Sequence, residues 1–402
     1  MIKSKRDLVN IFYPVYFIWG LFSQINNTVN IRFNLENTIA TLLNIILILT
    51  LFFCLLLIVG KHEANISMYK CLYFTLLLVF IVFISKNQTN LSTFLAIFSL
   101  ILIGGNFNFN KILKIFLIFT GLVLVGVIGL SILNKIPPAL LVGQNLRMRS
   151  SLGFSYYTYS AQLLFYFTLA YLVYKSSNIS YAELICLMLA NIYVFYNTNT
   201  RNPYILSMIF ILYVFLDKIL KFKIDLLKFR IFKILFSFIF PICFLILIYI
   251  TFYLPIGIFE EINEALSGRL SLNVLGFQTW GIHAFGQKIV FDTFTSTGMV
   301  SNYYNFVDSS YFQNLLVNGW VFIGIILILW ILVCKNVVRH KQTYLCIALS
   351  LIAIHSMFDP QMLVPWYSPF CLLLGQPFSV NVNDTMFFKE KKLSKGRNYN
   401  YE

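Results

Sequence analysis

Apolar stretches of about 17–25 residues recur along the whole of this chain. Such a stretch has no home in water. In lipid it must satisfy every backbone N–H and C=O within itself, which leaves the α-helix as its conformation unless the strands close into a barrel. The stretches lie near 8–24, 38–60, 68–85, 89–104, 112–134, 157–174, 181–196, 203–216, 232–254, 313–334, 342–358 and 362–376. The expected fold is therefore all-α: a polytopic integral membrane bundle of about twelve transmembrane helices. Charged residues make up 11% of the sequence, against roughly 25% in soluble domains. The reading is one transmembrane domain over 1–380 and a basic cytoplasmic tail over 381–402.

The formal net charge of +15 would point to nucleic acid in a soluble chain. Here Lys and Arg lie mostly in short segments between spans, where they set topology. With a cytoplasmic N-terminus, the basic residues left on the outer side are Arg32, Lys86, Lys135, Arg147, Arg149, Arg201, Arg269 and Lys288. The others are inside, and an even number of spans puts the C-terminus there too. Lys3, Lys5 and Arg6 precede an apolar stretch that has no small-residue cleavage site, so the first span is expected to stay. The seven cysteines are scattered singly through apolar spans, as packing residues without disulfides.

One segment breaks the pattern. Residues 256–312 form a long polar loop between spans nine and ten, on the outer side in this topology, with short amphipathic helices expected inside it. Ser267-Gly268-Arg269 stands near its start, with Ser267 as the expected cap of a helix opened by Arg269. Asp308-Ser309-Ser310-Tyr311 stands near its end, where Asp308 reads equally as the N-cap of span ten and as part of a site.

Five of the eight outer cations are arginines, whose planar fork grips phosphate through two hydrogen bonds. Arg147 and Arg149 follow span five, Arg201 sits in the tight loop 198–202, and Arg269 opens the large loop. Taken singly, each also fits interfacial pairing with lipid phosphate; taken together, they favour a convergent anionic site. His355 near the outer end of span eleven is an ionisable residue at membrane depth. It also reads as a histidine bonded to a neighbouring helix, and Asp359 before Pro360 as a span terminator. Outer aromatics such as Tyr156, Tyr157, Tyr159, Tyr303, Tyr304, Tyr311 and Trp280 suit sugar stacking or an interfacial belt. No nucleotide-binding glycine loop, metal-ligand spacing or nucleophile elbow occurs, so neither a metal nor another cofactor is expected.

The outer features run in a fixed order: Arg-x-Arg-x3-Gly over 147–153, Thr-Arg at 200–201, and Ser-Gly-Arg at 267–269. Asp-x-x-Tyr at 308–311, a downstream Gly319 and the late His355 follow. In this order the chain resembles the O-antigen and capsular polysaccharide polymerases and ligases, in particular the Wzy-type repeat-unit polymerases. The resemblance runs from about Lys135 to Pro360; the first four spans match only in hydropathy.

The resemblance implies an enzyme of a bacterial inner membrane that joins undecaprenyl-pyrophosphate-linked oligosaccharide units at the outer face, without a metal. Its partners would be that lipid-linked donor, membrane lipid, and the flippase and chain-length regulator of the same pathway. Arg147 or Arg149, Arg201 and Arg269 would bind pyrophosphate, with Tyr311 as a further substrate contact. His355 would act near the acceptor hydroxyl or the phosphate, with Asp308 supporting it. In the ligase branch the late histidine usually precedes Asn and Leu; Ser356 and Met357 here lean toward polymerase. A flippase or other transporter would instead place cations at the bilayer midplane, where these spans are nearly uncharged.

Overall fold

A computed structural model of the chain describes residues 9–30, 36–59, 68–137, 140–142, 148–221, 225–292 and 304–379. Among the described residues the regular structure is helical apart from one short β-ladder and an isolated bridge between Val29 and Phe154. The first five helices are α1 (Phe12–Thr28), α2 (Glu36–Val59), α3 (Met68–Ile84), α4 (Leu91–Gly104) and α5 (Phe109–Ile132). Strands β1 (Leu140–Val142) and β2 (Met148–Ser150) then pair antiparallel. Next come α6 (Tyr157–Lys175), α7 (Tyr181–Thr198), α8 (Arg201–Ile219), α9 (Arg230–Ser237) and α10 (Ile239–Phe252). In the segment read as the large loop lie α11 (Ile256–Ala265) and α12 (Arg269–Trp280), and α13 (Ser310–Asn318), α14 (Trp320–Arg339) and α15 (Thr343–His355) follow.

Among the described residues four helices, α2, α5, α8 and α14, are long and apolar enough to cross a membrane, and the bent pair α9–α10 makes a fifth if it is one span. Their outward faces carry Leu49, Leu56, Val125, Leu212 and Ile328, all more than half exposed. Apolar surface on that scale belongs against lipid, so this is a helical membrane protein. By contrast α6 is buried on nearly every side, packed among α5, α7, α8 and α15. It carries Ser160, Gln162 and Thr168 inside the bundle, where protein rather than lipid meets them.

The chain departs from uninterrupted spans in three places. Over 232–254 the helix breaks between Ser237 and Ile239 with a 71° bend. Pro241 supplies no N–H to continue the turn, so the ladder cannot run through. Over 313–334 it breaks at Gly319. Over 362–376 there is no α-helix: Pro360, Pro365, Pro369 and Pro377 interrupt the hydrogen-bond pattern. That segment runs through turns into a 3-10 helix, Pro369–Phe378, most of it buried against α4, α5 and α14. Irregular backbone at such depth is tolerated because protein surrounds it.

With little hydrophobic drive between helices in lipid, polar contacts help to join them. Trp19 of α1 donates to Asn44 of α2 at 2.8 Å, and Asn44 donates to Ser92 and Thr93 of α4 at 3.2 and 3.1 Å. All seven cysteines are free.

The loop after α12 is docked by backbone. Gln287 N–H donates to Val317 C=O at 3.1 Å, Trp320 to His283 at 3.1 Å and Val321 to Ala284 at 3.2 Å. Gly319 has φ +93°, and a Cβ there would lie 2.3 Å from the Ala284 carbonyl oxygen, so only glycine fits. Gly319→Ala should lower thermal stability in detergent by about 1–3 kcal/mol or more. Gly126→Ala, where a Cβ meets nothing within 4 Å, should leave it nearly unchanged. Equal melting temperatures for the two variants would show that this docking is not formed.

Candidate functional site

The α11–α12 corner aims Arg269. Ser267 and Gly268 both adopt left-handed backbone, φ 58° and 81°. Ser267 does not cap α12; the N-cap is Gly268, which has no side chain to offer. Asn263 of α11 takes that role, accepting from the Ser271 N–H at 3.1 Å and donating to the Ser271 hydroxyl at 2.5 Å. That cap from the preceding helix ties α11 to the start of α12, and Arg269 leaves the corner toward the end of α15.

Arg269 is the hub. Its Nε lies 3.4 Å from Asp308 Oδ2 and its Nη1 donates to the Phe358 carbonyl. Both ion-pair side chains keep 23% exposure, so the pair is partly open. Burial works against the Arg269 charge, yet Asp308 and Asp359, with Tyr157 and Tyr156, hold its pKa above the ordinary value. Burial pushes the Asp308 carboxyl above its usual range, and Arg269 pulls it back. Asp308 is not the cap of α13: Ser309 is, accepting from the Phe312 N–H at 3.3 Å. The shift of one residue frees Asp308 for Arg269.

The next two residues fasten α13 to the end of α15. Ser310 N–H lies 3.0 Å from the Ser356 carbonyl and 3.1 Å from the Asp359 carbonyl. Its hydroxyl donates to the Asp359 carbonyl at 2.5 Å and accepts from Met362 N–H at 3.0 Å. Tyr311 is fully buried against Phe244, and its hydroxyl donates to the Ala353 carbonyl at 3.1 Å. Tyr311, expected as a substrate contact, is placed as a strut: it is fully buried and its one donor is spent on the backbone of α15.

His355, the last residue of α15, is fully buried against Phe165 and Tyr166. Its Nδ1 lies 3.1 Å from Asn202 Nδ2 and its Nε2 3.5 Å from Asp359 Oδ2. Gln162 of α6 donates to the same Asp359 oxygen at 2.5 Å, and Gln361 donates to Gln162 Oε1 at 2.5 Å. Asp359 is therefore more than a terminator. An Asp, a Gln and a Gln from three positions, with His355 and Asn202, form one buried polar chain.

The other outer arginines divide. Arg149 pairs with Leu141 in the ladder, and its guanidinium lies 4.7 Å from the ring centre of Tyr157. Its Nε is buried with no hydrogen-bond partner among the described residues. Gly153, at φ +86°, turns the chain from this strand into α6, and a Cβ there would press on Val127 and Ser131. Tyr157 and Tyr156, whose hydroxyls are 3.0 Å apart, thus relate Arg149 to Arg269. Arg201 opens α8 and is exposed; it is its neighbour Asn202 that reaches the site. Arg147 and Tyr303 lie outside the described residues. Among the described residues, no three His, Cys, Asp or Glu side chains converge in an arrangement that would hold a metal ion.

The structure therefore gathers Arg269, Asp308, His355 and Arg149 at one end of the bundle, rimmed by Tyr156, Tyr157, Tyr159 and Tyr304. Sequence reasoning missed Asp359, Gln162, Gln361 and Asn202 as members. A glutamine inside an apolar span was the available signal, since such a side chain is costly in lipid. Comparison with protein-family models, curated proteins and solved structures yields no match.

A double-mutant cycle over Arg269→Gln and Asp308→Asn should give a coupling energy of about 0.5–3 kcal/mol in thermal unfolding. Strict additivity would show that the two charges do not meet.

Proposed function

We propose that this chain joins undecaprenyl-pyrophosphate-linked oligosaccharide repeat units into a surface polysaccharide, as a membrane glycosyltransferase of the repeat-unit polymerase type. In this reading about twelve spans cross the inner membrane of a bacterium. Both termini are cytoplasmic, and the segment 256–312 lies on the outer face. The donor glycan leaves its lipid pyrophosphate and is taken by a hydroxyl on the next lipid-linked unit. A flippase and a chain-length regulator are the expected partners.

The observation that carries this reading is Arg269, paired with Asp308 and directed at the segment that holds His355 and Asp359. Departure of a pyrophosphate builds negative charge, and preorganised cations at a half-closed site stabilise it. Arg269 and the partly unpartnered Arg149 fit that demand, and a guanidinium can meet a phosphate with two bonds. A buried histidine–carboxylate pair beside them supplies groups able to handle the acceptor's proton. The tyrosines at the rim offer faces to sugar rings.

The test is deletion of the gene in its host, followed by analysis of glycans on the lipid carrier and at the surface. Single repeat units at the outer face with no polymer are the expected result. Long chains stranded on the carrier would instead mean a ligase, and units trapped on the inner face a flippase. In the complemented strain, Arg269→Ala should abolish polymer while the protein still inserts, and Arg269→Lys should recover little. Normal polymer from well-expressed Arg269→Ala would remove Arg269 from the site.

A further inference from the structure

A line of hydrogen bonds and a histidine contact at 3.5 Å meet at one oxygen. From one side Gln361 donates to Gln162 Oε1, and Gln162 donates to Asp359 Oδ2. From the other, Asn202 Nδ2 faces His355 Nδ1, and His355 Nε2 faces the same Oδ2. Each amide orientation is set by its neighbour. A carboxylate opposite Nε2 calls for a proton there, which makes Nδ1 the acceptor and asks Asn202 to present its nitrogen. Gln361 likewise presents a donor to Gln162, which turns the nitrogen of Gln162 toward Asp359. Gln162 thus donates to Oδ2 with His355 Nε2 close by, and bonds in the Gln361–Gln162–Asp359 chain polarise one another.

Asp359 Oδ1 is left buried with no hydrogen-bond partner among the described residues. A carboxylate oxygen in that state is costly unless something comes to it. The backbone on both sides is already committed: Arg269 takes the Phe358 carbonyl and Ser310 the Asp359 carbonyl. The side chain is therefore held in place with one unpartnered oxygen, next to the arginine that the proposed function assigns to the pyrophosphate.

We infer that Asp359 is the proton acceptor of this site and that Gln162 and Asn202 are the residues that position it. The inference rests on the glycosyl-transfer reading above. In the step, the acceptor hydroxyl oxygen forms a bond to the anomeric carbon of the donor glycan. The bond from that carbon to the pyrophosphate oxygen breaks, and its electron pair leaves with the pyrophosphate. The hydroxyl proton passes to Asp359 Oδ1. Release of that proton to solvent after the product leaves restores the carboxylate. His355 stays neutral throughout, its Nε2 facing Oδ2 at 3.5 Å, with Asn202 at Nδ1 fixing that tautomer.

The groups that face Asp359 and its partners are Arg269 from α12, Asp308 ahead of α13, Tyr159 and Tyr166 from α6, and Tyr367. Removing the Gln162 donor weakens the carboxylate form. The acid limb of the pH–rate profile should then move upward, by about one unit, or about tenfold in rate below the limb.

The experiment uses the full chain in proteoliposomes, with the lipid-linked oligosaccharide fraction extracted from host membranes that lack this protein. Undecaprenyl pyrophosphate serves as the binding probe. Asp359→Asn should lower the transfer rate by about a hundredfold or more while binding of the probe holds. Gln162→Leu and the shape-conserving Gln162→Met should both move the acid limb upward, with melting temperature recorded for each. Near-normal transfer by Asp359→Asn, where Arg269→Ala has none, would overturn the inference and leave the proposed function standing. Near-normal transfer by both variants would overturn the inference and remove Arg269 from the site as well, and no transfer by the unaltered chain would overturn the proposed function itself. A lowered rate with an unmoved acid limb in both Gln162 variants would make Gln162 a packing residue only and end its positioning role.

Discussion

A polar atom inside an apolar bundle must find a partner, and the partner it finds decides which helices meet. Water is absent there, so each unpaired donor or acceptor costs about 1–3 kcal/mol. The Trp19–Asn44–Ser92–Thr93 knot joins three helices on these terms. Ser310 obeys the same rule at the other side of the molecule, where its hydroxyl and N–H bind the backbone around Asp359. That fastening adds to the Arg269 bond at the Phe358 carbonyl in fixing the end of α15 against α12 and the start of α13.

The site uses the rule in the opposite sense. Arg149 Nε, His355 Nε2 and Asp359 Oδ1 are among the buried polar atoms left without hydrogen-bond partners among the described residues, and they are the ones that belong to arginine, histidine or aspartate side chains. All three lie near the end of the bundle reached by α12. Arg269 stands between such groups and the satisfied ones. Its bonds to Asp308 and to the Phe358 carbonyl hold it in place, yet it stays partly open to whatever anion arrives. An arginine held this way loses little freedom on binding, which is how preorganised charge stabilises a leaving group.

Much of this was legible along the chain. Long apolar runs announced helices in lipid, and the polar interval after α10 announced short helices outside the main bundle. Arg269, Asp308 and His355 stood out by type and place, and the structure brings them together. Other readings failed for local reasons. Ser267 looked like a cap, but left-handed backbone at 267 and 268 hands that role to Asn263. Asp308 looked like a cap because capping residues are interchangeable by type; geometry chose Ser309. Tyr311 looked like a sugar contact because aromatic residues near a loop fit both roles, and only its burial separates them. The prolines of 360–377 were in view, yet the apolar content of that segment outweighed them in a reading by hydropathy.

The sequence by itself determined that this is a helical membrane protein with a polar interruption rich in chemistry-bearing residues. That follows from local rules: lipid requires internally bonded backbone, and apolar length measures it. Only the tertiary structure decided which polar residues form the site. Gln162, Asn202, Asp359 and Gln361 are far apart in sequence or hidden beside prolines, and each alone is an ordinary residue of its type. Their meaning depends on hydrogen-bond partners contributed by other helices, and a partner's identity is a property of the packed bundle, not of any one segment.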